Sequence, residues 1–154
     1  MRYLLIGFLL AGCGGEYEPM VTWSGNITEQ SERFILSYDQ SLYTESQLPI
    51  AEQWWVDVQT CTGISLDLSQ YRLIIEYTPI EQLPLGDGGR IELEDGYARV
   101  YENDLNPSID FSPAYYGLIT RHEMIHYMLY IIGTPFEEND NHKSWMFGCA
   151  FYYP

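Results

Sequence analysis

The chain has 154 residues, enough for one compact domain and too few for two of ordinary size. Its formal net charge of −15 argues against phosphate-directed binding of DNA or RNA, and against a basic patch on anionic lipid. A hydrophobic content of 46% supports a real core, and the 14 tyrosines are read as packing residues with a wet edge rather than as a ligand site.

From the N-terminus, Met1-Arg2 is a positive start and Tyr3 to Ala11 is almost wholly apolar. Such a run is too short for a spanning helix and reads as a signal-peptide core. It ends in Leu10-Ala11-Gly12-Cys13, which resembles the bacterial lipobox. The resemblance implies cleavage before Cys13 and lipidation of that cysteine, and Gly14 leans the sorting towards the outer membrane. A plain secretory signal is the alternative. The expected division is therefore 1–12 signal peptide, 13–30 lipidated cysteine and flexible tether, and 31–154 a single folded domain, expected to be monomeric. With Cys13 taken by lipid, Cys61 and Cys149 remain. In an oxidising compartment they suggest one disulfide closing a long loop, worth on the order of 3–4 kcal/mol. Two buried free thiols, or thiolate ligation of a metal, are the alternatives.

Arg33 to Tyr38 reads as a strand. Leu48 to Cys61 reads as a helix, with Pro49 in its first turn, Ile50, Trp54, Val58 and Cys61 on one face, and Thr62-Gly63 as its stop. The pair Trp54-Trp55 reads as packing. Tyr71 to Thr78 is a strand ended by Pro79, and Gly86-Asp87-Gly88-Gly89 is a flexible turn with no phosphate-loop context. Arg90 to Glu102 reads as a hairpin, Ile91 to Leu93 and Ala98 to Tyr101 flanking Glu94-Asp95-Gly96. Ser112 as cap and Pro113 at the first position predict a helix from Pro113 to Ile132, with Leu118, Ile125, Leu129 and Ile132 as its apolar stripe. Gly133 and Pro135 end it, and Thr134 to Pro154 is a loop with a short closing segment.

The three histidines of the chain, His122, His126 and His142, all lie on or after that last helix. His122 and His126 are four apart and share a face, so both imidazoles can approach one zinc ion at about 2.0–2.1 Å. Glu123 is turned about 100° from His122 and borders the site, where a general base for a metal-activated water belongs. His142 is the expected third ligand, with Asp140, Glu137 and Glu138 as competitors. The pattern His-Glu-x-x-His thus points to a zinc hydrolase. A zinc site that serves only folding or partner binding is the alternative, and a metal-free interaction module using its tyrosines is a third reading. A purely structural site would close its fourth position with a protein ligand and has no use for Glu123.

The segment Arg121-His122-Glu123-Met124-Ile125-His126-Tyr127-Met128-Leu129, then His142 and Met146-Phe147-Gly148-Cys149, resembles small bacterial zincin-type metallopeptidases. SprT-like and WLM-type proteins are similar in having the same motif and a later histidine followed by an aromatic. Cys61-Thr62-Gly63 after the early helix and Cys149 after the third histidine are like small secreted lipoproteins. The resemblance implies a minimal zincin core of α+β class: a backing helix, a small mixed sheet and an active helix. It further implies His122, His126 and His142 as zinc ligands, Glu123 as base, a peptide or protein substrate, and an edge strand that holds substrate, for which Ile91 to Leu93 or Ala98 to Tyr101 are the candidates. The chain departs from metzincins in lacking Gly-x-x-His after His126 and an obvious Met-turn. Tyr115, Tyr127, Tyr152 and Tyr153 are all available to stabilise an oxyanion.

Overall fold

The computed structural model describes residues 26–43, 45–68, 72–78, 89–92, 97–101 and 117–151. Cys13, the lipobox, Ser112, Pro113, Tyr115, Tyr152 and Tyr153 lie outside them. The class is mixed α+β. Five strands, β1 (Glu29–Gln30), β2 (Phe34–Ser37), β3 (Leu73–Thr78), β4 (Gly89–Glu92) and β5 (Tyr97–Tyr101), form one sheet in the order β1-β2-β3-β5-β4. The helices are α1 (Leu48–Thr62), α2 (Leu118–Ile131) and α3 (Phe136–Asp140), followed by a 3-10 segment (Trp145–Phe151). Among the described residues no helix is long and apolar enough to cross a membrane.

The centre of the sheet, β2-β3-β5, is parallel, and the two outer strands are antiparallel to their neighbours. Parallel neighbours need a crossover, and α1 supplies the one between β2 and β3. Alternation along β3 buries Leu73, Ile75 and Tyr77 and leaves Ile74 and Glu76 partly covered, so one face of the sheet carries the helices. Register aligns Leu36, Ile75 and Ala98 across three strands of that face, and all three are buried. The core then fills with Trp54, Trp55 and Val58 of α1 and Met124, Ile125, Met128 and Leu129 of α2. The tryptophan pair is packing, as its sequence context suggests.

The predicted hairpin is present as β4 paired antiparallel with β5, and Gly89 begins β4 rather than lying in the turn before it. Of the two candidate substrate strands only β4 is at an edge, because β5 is enclosed between β3 and β4. The tether is shorter than expected. Thr28 exchanges hydrogen bonds with Tyr38, its hydroxyl donating to the Tyr38 carbonyl at 2.8 Å and accepting the Tyr38 N–H at 3.0 Å, and Glu29 and Gln30 pair with β2. Glu29 also reaches α1: its carboxylate accepts the N–H groups of Gln47 and Leu48 at 2.9 and 2.8 Å. Gln47 makes no side-chain cap of its own, so β1 supplies the anion that the positive end of α1 favours.

The main correction concerns α2. It begins at Leu118 rather than Pro113, because Gly117 before it adopts a left-handed φ of 70° that a continuing right-handed helix does not allow. Its burial extends beyond the expected stripe, of which Leu118 packs against the core and Ile125 and Leu129 are buried. Ile132 is exposed at its C-terminal end, whereas Thr120, Arg121, Glu123 and His126 are buried along with the apolar residues. The helix is covered on several sides, by β4 and β5, by α1, by α3 and by the 3-10 segment.

Candidate metal centre

A buried helix places its polar side chains where partners must be found inside the protein. Tyr77 of β3 and Thr120 share a hydroxyl hydrogen bond of 3.1 Å, and the Arg121 Nε donates to the Gly117 carbonyl at 3.2 Å. These contacts seat the first turn of α2 against the sheet and set the rotation of the turns that follow. One turn on, His122 and His126 bring their Nε2 atoms to 3.2 Å of each other.

The chain reverses beyond α2. The N–H of Thr134 bonds to the carbonyl of Leu129, and α3 then folds back along the helix. Past α3, His142 takes φ 53°, alone among the described non-glycine residues in the left-handed region. This conformation points the third imidazole back at the other two. Its Nε2 lies 3.0 Å from that of His122 and 3.1 Å from that of His126. The three nitrogens thus form a nearly equilateral triangle. Three ligands at tetrahedral angles around zinc would be separated by roughly 3.3 Å, so the triangle fits one such ion with little adjustment.

The chemistry of the donors agrees with the geometry. The Nδ1 of His126 faces the Oδ1 of Asn139 at 2.8 Å, and the Asn139 Nδ2 donates to the His126 carbonyl at 2.9 Å. An amide oxygen only accepts, so this contact calls for a ring hydrogen on Nδ1, which would leave Nε2 as a lone pair. Three ring nitrogens at mutual hydrogen-bond distance cannot all satisfy one another with the hydrogens that remain. A cation among them satisfies all three at once. His122 is pushed down to about 3 from 6.5, first by burial and then by the neighbouring His126 and His142, which keeps its imidazole neutral and ready to ligate.

Phe147 of the 3-10 segment completes the surroundings. Its ring centroid lies 5.1, 4.7 and 4.7 Å from those of His122, His126 and His142, which are themselves 4.8–4.9 Å apart. A ring nearly equidistant from three others sits on their common axis, so Phe147 closes one side of the triad with an apolar surface. Cys149, two residues on, is bonded to Cys61 of α1 with Cα atoms 5.7 Å apart. This joins the segment to the last turn of α1 and removes both cysteines as thiolate ligands.

His122, His126 and His142 are therefore close enough together to hold a metal ion, and among the described residues no carboxylate or thiolate joins their group. Of the competitors for the third position, Glu137 and Glu138 are exposed on α3, and the side chain of Asp140 lies outside the described residues. Glu123 is buried at 3% exposure beside His122 and outside the ligand group. Tyr127 is packed into the core. Asn139 was not singled out by its sequence context, since a lone Asn amid acidic residues carries no ligand signal. Phe147 had none of its own either, since the first aromatic after His142 is Trp145, which is exposed. Compared with protein-family models, with curated proteins and with solved structures, the chain matches none.

Proposed function

We propose that the protein is a zinc-dependent hydrolase of zincin-like architecture, acting on peptide bonds and tethered to the bacterial envelope through Cys13. The observation that carries the reading is the donor set: three imidazoles converging within 3.2 Å and no fourth side-chain ligand among the described residues. Structural zinc sites are closed by four protein ligands, and catalytic ones keep a position open. Neutral nitrogen donors of this kind suit zinc and leave it electrophilic.

A zinc ion held by His122, His126 and His142 would lower the pKa of a water towards neutrality and polarise the scissile carbonyl. The residues of the chain supply the rest. Glu123, one position along the helix from His122, would serve as the base for such a water and then as the acid for the leaving amine. Its burial, at 3% exposure, would keep bulk water from competing for that proton. Phe147 closes one side of the triad, so a substrate carbonyl approaches from the other. Among the described residues β4 is the edge strand against α2, where an extended peptide would add as a further strand.

The test is zinc stoichiometry of the full chain, for wild type and Glu123→Gln, beside hydrolysis of an unbiased peptide library. The expected result is one zinc in both proteins and cleavage by wild type alone. One zinc with no cleavage by either would favour a binding or structural role, and no zinc in either would sink the reading.

A further inference from the structure

Asn139 is fully buried, at 0% exposure, on a five-residue helix otherwise rich in exposed acid. Its amide meets His126 twice, Oδ1 at ring Nδ1 and Nδ2 at the main-chain carbonyl. The second contact orients the first, because turning the amide over would set two oxygens against each other. The main chain of Asn139 reaches a second histidine: its carbonyl accepts the N–H of His142 at 3.1 Å, in the turn where His142 adopts its left-handed φ. One residue therefore touches a histidine of α2 and the histidine beyond α3. A neutral amide, unlike a carboxylate, adds no charge to the ring it holds.

We propose that Asn139 is the positioning residue of the triad: it selects the Nδ1–H tautomer of His126, leaving Nε2 bare, and fixes that ring before any metal arrives. The purpose of this arrangement rests on the metal reading above, whereas the tautomer itself does not. Partners of this kind, beyond the ligands, orient an imidazole and typically change metal affinity about 10–100-fold when removed.

The experiment uses the full chain, stripped of metal and labelled with 15N at histidine, with long-range proton–nitrogen spectra recorded above pH 7. Zinc affinity is measured alongside by competition with a chelator. His126 of wild type is expected as Nδ1–H. Asn139→Leu, close in volume and without polar atoms, is expected to lose the single tautomer and to bind zinc about 10–100-fold more weakly. Asn139→Ala removes the amide without adding bulk or a second oxygen against the His126 carbonyl, so it gives the same readout if Asn139→Leu fails to fold. An Nε2–H tautomer in wild type would overturn the proposal, as would a folded Asn139→Leu with unchanged tautomer and affinity. Wild type in the Nδ1–H form but binding no zinc would uphold the role of Asn139 while removing the metal reading.

Discussion

Gly117 lies against the indole of Trp54 so closely that a Cβ at position 117 would overlap ring atoms Cε2, Cζ2 and Nε1. The glycine is required twice over, by that contact and by its left-handed φ. Gly117→Ala should destabilise the protein by roughly 2–5 kcal/mol, combining about 1–2 for the backbone with about 1–3 for overpacking. Urea denaturation measures the loss. A change below about 0.5 kcal/mol would mean that the start of α2 and Trp54 are not held together as described.

Glu29 should behave as part of α1 although it is remote in sequence. Glu29→Ala removes the acceptor of two N–H groups at the helix end and is expected to cost about 1 kcal/mol. Glu29→Gln keeps an acceptor and loses only the charge–dipole part, a few tenths of that. Chemical denaturation of the two variants separates these contributions, and equal stability for both and wild type would refute the cap.

His142 carries backbone strain that a glycine would relieve. In the metal-free protein His142→Gly should be more stable than His142→Ala by about 1 kcal/mol, the reverse of their order in an ordinary loop. With zinc in excess neither should approach wild type in thermal midpoint, because both lose a ligand. A metal-free His142→Ala at least as stable as His142→Gly would place residue 142 in an ordinary conformation.

The pH dependence follows from His122. In the unfolded chain its imidazole takes up a proton near pH 6.5, whereas in the fold it stays neutral until about 3. Between those values the unfolded state binds more protons, so stability falls as pH is lowered through the window. The contribution is fully present above pH 6.5, and its slope is at most about 1.4 kcal/mol per pH unit. Urea midpoints of the metal-free protein and of His122→Phe, compared from pH 7.5 to 4, isolate it from the carboxylates. Wild type should lose stability more steeply than the variant, and parallel curves would contradict the burial of that ring.

The histidine group was readable because a helix puts residues four apart on one face, so His122 and His126 declare their relation locally. Strands β2 and β3 and helix α1 announced themselves through equally local signals, the β-formers of Tyr71 to Thr78 and the Pro49 and Gly63 boundaries. What escaped depends on partners distant in the chain. Ser112-Pro113 is a good local helix start, but Gly117 is packed against Trp54, more than sixty residues earlier. Glu29 looks like tether until α1 is brought beside it. Asn139 acquires its meaning only when α3 folds back on His126. The left-handed φ of His142 is a property of the turn rather than of any residue type in it.

The bond between Cys61 and Cys149 also has a consequence in time. The two cysteines are 88 residues apart, so Cys149 emerges from synthesis only after α2 and α3 have been made. It can meet Cys61 in the native pairing only once the 3-10 segment has come back against α1, and that same movement delivers Phe147 to the histidines two residues away. Closure of the bridge is therefore a chemical record of assembly. Counting protected thiols in a folding population counts the molecules whose triad has received its aromatic wall, whether or not any ion has yet been bound.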